Sequence, residues 1–335
     1  MKNFLLTFFI SFSFIYIVSL LIYILVDPYY ENNIMINGLN KEKIQSTVST
    51  SRVLRKKLNR SQYNLIFGTS RSAKIDDNTW DASVLNFSSS VYGNPMDVYE
   101  FLEQLNSQQI KNIQKIYYLL DNHVFKKRYN DAFNYQKSTI GIVMEQIKMF
   151  DFDRLYLTFQ TLYINLVQKN PSAGIKLNGA FYNKSELPAP RLYMFNYFPY
   201  KTEIDYKQEY IDAIGKIYNF CIHHNIDIIF YTPTVNIVYL NNINQKKFIE
   251  LRKKVLTQIP SLLDLSYIED ISNDTSKYTD VGHVNAKTTK YLFENFIIYP
   301  DKKYIVTKEN ANVYYNNMLS NITDDKEKLF LGKLK

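Results

Sequence analysis

Ser70 closes an apolar run, Leu65-Ile66-Phe67-Gly68-Thr69-Ser70-Arg71, and far downstream Asp280 and His283 stand three apart in Asp280-Val281-Gly282-His283. A serine hydroxyl is a weak nucleophile until a histidine takes its proton. That histidine in turn needs a carboxylate to orient its ring and stabilise its charged form. Glycine at 68 allows a sharp turn that lifts the hydroxyl clear of a strand end. Serine, aspartate and histidine in this order have the parts of an acyl-transfer triad. Each half also has a plainer reading: Ser70 as a helix N-cap, and Asp280 or Asn285 as the cap of a following helix.

Positioning these groups requires strands that end where they begin. Tyr63 to Phe67, Val84 to Phe87, Lys115 to Leu120, Ile226 to Tyr231 and Leu262 to Leu265 read as short buried strands. Between them Asp97 to Leu105, Tyr206 to Asn225, Gln245 to Ile259 and Asn285 to Phe296 carry apolar residues at helical spacing. Alternating strands and helices predict an α/β fold with a parallel sheet covered on both faces, where ligands collect beyond the carboxyl ends of the strands. Residues 125–201 break this rhythm and read as a mostly helical insertion, a lid or substrate wall. Residues 61–300 are the expected domain, residues 27–60 a stalk or linker with a polar helix from Lys41 to Leu58, and residues 301–335 an amphipathic tail.

Leu5 to Val26 contains no charged residue. At ~1.5 Å per residue a helix of this length crosses a ~30 Å hydrocarbon core. A cleaved signal peptide has a shorter apolar region and a small-residue cleavage site, which Asp27-Pro28-Tyr29-Tyr30 does not supply. Lys2 precedes the span while Asp27 and Glu31 follow it, so charge predicts residues 1–4 as a cytoplasmic stub and the bulk outside. Cys221 is the single cysteine, which excludes an intramolecular disulfide and a thiolate metal cluster. The net charge of +8 invites nucleic acid, but the densest basic run, Arg52 to Arg60, lies shortly after the span, where a solvated face or anionic lipid or glycan is simpler. Four histidines without paired metal spacing, and no phosphate-binding Gly-Lys-Ser, imply neither metal nor other cofactor.

These motifs resemble those of the SGNH (GDSL-like) hydrolases. Gly68-Thr69-Ser70-Arg71 is similar to their nucleophile block, in a variant of membrane-anchored bacterial envelope members, and Asp280-Val281-Gly282-His283 to their final block. Asn86-Phe87-Ser88-Ser89-Ser90 resembles the second block, with serines where the family has glycine. Tyr118-Leu119-Leu120-Asp121-Asn122-His123 sits where the family has Gly-x-Asn-Asp, and Phe230-Tyr231-Thr232-Pro233 resembles the strand before the final block. The resemblance implies a flavodoxin-like three-layer fold with a parallel central sheet, a helical insertion and one N-terminal transmembrane helix. It implies Ser70, His283 and Asp280 as the catalytic triad. Its oxyanion donors would be the Ser70 amide, the amide of Ser88 or Ser90, and the Asn122 side chain, with Asn94 as the fallback. Arg71, Asn94 and His123 are candidates for substrate contacts.

The function implied is that of a serine acyl esterase or O-acyl (acetyl) transferase on a cell-envelope glycan, held by its N-terminal helix in a bacterial inner membrane with the catalytic domain periplasmic. Hydrolase and transferase share one acyl-enzyme and differ only in whether water or a sugar hydroxyl receives the acyl group. The altered second and third blocks keep open a reading from another class: a non-catalytic SGNH-like scaffold that binds glycan or a membrane-embedded acyltransferase.

Overall fold

The computed structural model of the chain describes residues 2–26, 54–55, 57–75, 83–88, 93–126, 152–163, 166–167, 173–175, 181–183, 204–280 and 282–330. In chain order these form α1 (Lys2–Val26), β1 (Tyr63–Phe67), β2 (Val84–Asn86), α2 (Pro95–Glu103), α3 (Ser107–Lys111), β3 (Ile113–Leu119), α4 (Phe152–Tyr163), β4 (Ala173–Ile175) and β5 (Phe181–Asn183). There follow α5 (Gln208–His223), β6 (Asp227–Tyr231), α6 (Ile237–Asn242), α7 (Gln245–Val255), β7 (Leu262–Leu263), α8 (Glu269–Ser272), β8 (Tyr278–Asp280), β9 (His283–Val284), α9 (Ala286–Leu292), β10 (Ile305–Val306) and α10 (Ala311–Phe330).

Six strands make the central sheet in the order β10-β7-β6-β3-β1-β2. Each pair from β2 to β7 is parallel, and β10 alone runs antiparallel, against β7. The protein is therefore α/β with a mostly parallel central sheet. Side chains along a strand alternate faces, and the core divides accordingly. Leu65, Phe67, Ile116, Tyr118, Phe230 and Leu262 join one apolar cluster, whereas Ile66, Tyr117, Leu119, Tyr231 and Leu263 join the other. Phe67 stacks on Phe87 at 5.1 Å. At roughly 1.5–3 kcal/mol for each fully buried large apolar side chain, the sheet is held chiefly by these two layers.

The first layer is covered by α2, α5, α7 and α10. Ile211, Ile214, Ile217 and Cys221 recur at helical spacing along α5 and are fully buried. Pro95 at the first turn and the Asn94 side chain, accepting from the Met96 amide, start α2 where the loop after β2 ends. The second layer is covered by α9 and the π-turn Phe293–Ile297, into which the helix expected to run to Phe296 changes after Leu292.

Two segments read from sequence as peripheral belong to the core. Leu54 and Leu58, at the end of the expected stalk, are fully buried against the first layer, while residues 27–53 lie outside the described residues. The expected tail supplies the edge strand β10 and α10, whose Ala311, Tyr315, Met318 and Ile322 are buried. Within residues 125–201 the described elements are the end of the 3-10 turn Asn122–Phe125, α4, and the hairpin β4–β5. One helix among the described residues, α1, is long and apolar enough to cross a membrane, with Thr7–Val26 as its apolar stretch.

Candidate active site

β1 and β3 are neighbours, and the chain leaves β1 toward β2 on one side and β3 toward β6 on the other. The strand order therefore reverses between them, at the carboxyl ends where sheets of this kind bind ligands. Ser70 stands in the turn after β1 and is exposed. The turn depends on Gly68, whose φ of +147° suits glycine and whose missing Cβ would lie 2.7 Å from Ser72 Oγ and 2.8 Å from Leu119 Cβ. After it the backbone tightens at once, with the Ser72 amide donating to the Thr69 carbonyl.

From the other end of the chain, β8 and β9 form a small antiparallel hairpin pairing Asp280 with His283. Asn285 caps α9 by accepting from the Thr288 amide, which leaves the Asp280 carboxylate to its own loop. Asp280 Oδ1 accepts from the amides of Gly282 at 2.8 Å and His283 at 3.0 Å, and its Oδ2 lies 2.9 Å from His283 Nδ1. Burial pushes the Asp280 carboxyl up, but the His283 ring and these amides outweigh it and hold it below the usual carboxylate range. His283 Nε2 is 2.7 Å from Ser70 Oγ. With Nδ1–H directed at the carboxylate, Nε2 carries the lone pair that accepts the serine proton. The structure thus brings Ser70, His283 and Asp280 into one hydrogen-bonded chain, with the histidine and aspartate side chains a little over one third exposed.

Beneath this chain lies a buried ion pair. Arg71 Nη1 donates to Asp121 Oδ1 at 3.1 Å, and Thr69 donates from Oγ1 to Asp121 Oδ2 at 3.0 Å. The Arg71 guanidinium also lies over the Tyr239 ring, 5.1 Å from its centre, and touches Gly282, where a Cβ would come within 2.7 Å of Nη2. One side chain therefore ties together the nucleophile turn, the end of β3, α6 and the Asp280–His283 loop. Burial disfavours both charges, yet each partner overcomes that cost for the other: Asp121, Tyr239 and Asp280 raise the Arg71 pKa, while Arg71, His123 and Thr69 lower that of Asp121. Arg71, read as a substrate contact, is spent on this clamp.

The second block is fixed by Asn86, which is fully buried. Its Nδ2 donates to the carbonyls of Ser72 and Ile75, and its Oδ1 accepts from the Ser88 amide at 2.9 Å. The Ser88 amide is thus engaged within its own loop, and the Ser88 hydroxyl meets that of Ser72 at 2.7 Å. Ser90 lies outside the described residues. Gly93, at the far end of the same loop, packs against the nucleophile turn, with the Gly68 carbonyl 3.3 Å from where its Cβ would stand.

Asn122 follows β3 and is held from behind. Arg252 Nη2 donates to Asn122 Oδ1 at 3.1 Å and Nη1 to the Leu120 carbonyl at 3.0 Å. Arginine has no acceptor, so the amide oxygen must face it and the Nδ2 hydrogens are turned elsewhere. Asn94 is buried as the cap of α2 and donates to the Val124 carbonyl, and His123 is exposed beside Asp121. Asn86 and Asp121 stand inside the second and third blocks and Gly93 in the loop before Pro95, but their roles depend on partners distant in the chain, and no local signal points to Arg252. No family model matches the chain, and no curated protein matches it either.

Proposed function

We propose that the protein is a membrane-anchored serine acyl esterase or O-acyl transferase of the SGNH type. In this reading the fold is the flavodoxin-like three-layer form of that superfamily and the substrate is an acyl ester on a cell-envelope glycan. The anchor is a single N-terminal span in a bacterial inner membrane, with the catalytic domain on the periplasmic side. One observation carries the proposal: Ser70 Oγ is 2.7 Å from His283 Nε2 while Nδ1 of the same ring is 2.9 Å from Asp280 Oδ2.

Ser70 Oγ attacks the ester carbonyl as His283 Nε2 takes its proton, and Asp280 stabilises the imidazolium so formed. The tetrahedral intermediate collapses as His283 returns the proton to the departing alcohol oxygen, leaving acyl-Ser70. Water or a sugar hydroxyl then attacks with His283 again as base, which regenerates the serine. The oxyanion is held by the Ser70 amide, by Asn122 Nδ2, and by an amide of the loop after β2. For that last donor the Gly93 amide fits better than the engaged Ser88 amide. The non-catalytic scaffold is the second reading, favoured by that same engagement, which removes one expected donor.

The test is fluorophosphonate labelling of the full-length protein in detergent, read by mass spectrometry. Wild type is expected to label at Ser70. Ser70→Ala and His283→Ala should each abolish labelling and ester turnover, with the double variant scarcely worse than either, and Asp280→Asn should be milder. A wild type that neither labels nor turns over, with Ser70→Ala complementing the deletion strain, would favour the scaffold. A carboxyl-terminal alkaline phosphatase fusion, expected to be active, tests the topology.

A further inference from the structure

Helix α4 packs along α1. On α1 the covered side chains lie in the C-terminal half: Tyr23 and Val26 are buried, and Tyr16, Ser19, Leu20, Ile22 and Ile24 are partly so. On α4 the face toward the interior is small and polar, with Thr158 and Thr161 at 0% and 1% exposure. Its other face is large, apolar and open. Tyr156, Phe159 and Tyr163 are 61%, 54% and 59% exposed, and their spacing of three and four residues is that of a single helical face. Beyond the helix, Leu166 and Val167 are also exposed, at 54% and 62%.

In water this stripe is costly, because soluble surfaces seldom gather large apolar side chains in one contiguous patch. In a lipid leaflet the pattern has a physical purpose. Small residues let two helices approach closely, whereas tyrosine and phenylalanine suit the boundary between acyl chains and headgroups. Length agrees: twelve residues span roughly 18 Å as a helix, too short to cross a bilayer and suited to lying within one leaflet. α1, on which α4 packs, is itself apolar and open on its other side, at Leu21 and Leu25, and the surroundings that suit both helices commit the occupant to lipid.

We propose that α4 is a second membrane contact that sits in the leaflet around the C-terminal half of α1 and presents Tyr156, Phe159 and Tyr163 to acyl chains and headgroups. The proposal rests on α1 being a membrane span. Together the two helices give the chain two points of contact with the bilayer in place of one.

The test uses the full chain, with Cys221→Ala as background, in vesicles of phosphatidylethanolamine and phosphatidylglycerol. A solvent-sensitive fluorophore is attached at Tyr156→Cys, Phe159→Cys or Tyr163→Cys, with Phe12→Cys on α1 and Val313→Cys on α10 as references, and quenching by nitroxide-bearing lipid is measured. The expected result is quenching at all three α4 positions severalfold above that at Val313 and comparable to that at Phe12. Quenching at Phe12 with none at α4 overturns the proposal and leaves the anchor standing. Blue-shifted emission at α4 without lipid quenching puts protein there and overturns it too. No quenching even at Phe12 removes the anchor, and this proposal with it. Unchanged thermal unfolding of each labelled variant guards against misfolding, and if one variant fails to fold the other two decide.

Discussion

Two buried arginine–aspartate pairs lie under the carboxyl end of the sheet, and they are built differently. Arg71 and Asp121 meet directly at 3.1 Å, on the turn after β1 and the end of β3. Arg252 and Asp264 are as deeply buried, but the closest approach, Nε to Oδ2, is 3.9 Å. There the charges are satisfied mainly by neutral groups. Arg252 donates to Leu120 and Asn122, while Asp264 accepts from Thr232 at 2.9 Å, the Ser266 amide at 3.0 Å and the Tyr315 hydroxyl at 2.9 Å. The first pair is a clamp whose worth resides in its two charges. The second is a relay in which one hydrogen bond ties α10 to Asp264 and another ties Arg252 to Asn122, the two joined by the charge contact at 3.9 Å. A buried charge that loses a single strong partner is stranded, whereas one held by several dipoles is not.

The sharpest way to break this contrast is to remove each aspartate's charge. Asp121→Ala leaves Arg71 buried without its partner and should cost about 3–5 kcal/mol in denaturant unfolding, near the limit a domain tolerates. Asp264→Asn keeps an acceptor for Thr232 and Ser266 and should cost nearer to about 1–2 kcal/mol. Equal losses would erase the distinction. At the far end of the relay the expected effect is on rate and not on stability. Asn122→Ala should lower kcat by the equivalent of about 3 kcal/mol with little change in KM, as loss of an oxyanion donor does elsewhere. If KM rises and kcat holds, Asn122 binds substrate in the ground state instead.

The smallest effect is in acid. Asp121 has a depressed carboxyl pKa in the folded protein, so its stabilisation is complete above the unfolded carboxylate value of about 3.9 and is lost as pH falls through the lower folded value. Thermal midpoints measured from neutral pH down through that window should therefore fall less steeply in Asp121→Asn than in wild type. Asp280, depressed in the same direction, accounts for part of the slope that remains. An unchanged acid slope would mean that Asp121 is not held as the charged partner of Arg71.

Much of this arrangement was legible because it is local. Five apolar runs bounded by turn residues are strands, with β1 coinciding at both ends with the expected Tyr63 to Phe67. Ser70 and the Asp280–His283 pair were legible as residue types suited to one chemistry, and Gly68 as the turn that one of them needs. What escaped depends on pairings between residues far apart in the chain. Nothing near Arg71 announces Asp121, and nothing near Asn122 announces Arg252, since each pair forms only when the sheet brings strand ends together. Asp264 illustrates a second limit. The expected strand Leu262 to Leu265 stops at Leu263, where a buried carboxylate is committed to Thr232 and Tyr315, and hydropathy carries no sign of such a commitment. The edge strand Ile305–Val306 is too short for any periodic pattern. The helix after it, expected as a tail, packs on the sheet through Ala311, Tyr315, Met318 and Ile322, whose burial depends on a sheet edge far away in the chain.

The strand order has a consequence for the birth of the molecule. From β3 outward the sheet adds β6, β7 and β10 in the order in which they are synthesised, so each new strand docks on an edge already made. The Ser70 turn and the Arg71–Asp121 contact can form once β3 and its following turn have emerged, while Tyr239 and Gly282 join Arg71 later. The support behind Asn122 waits much longer, because Tyr315 closes on Asp264 only when α10 arrives. A nascent chain halted just before residue 311 would therefore hold all six strands of the sheet, with Asp264 bonded to Thr232 and Ser266 but lacking its Tyr315 partner. Chaperones and proteases would meet it in that condition, and the last helix ends their access.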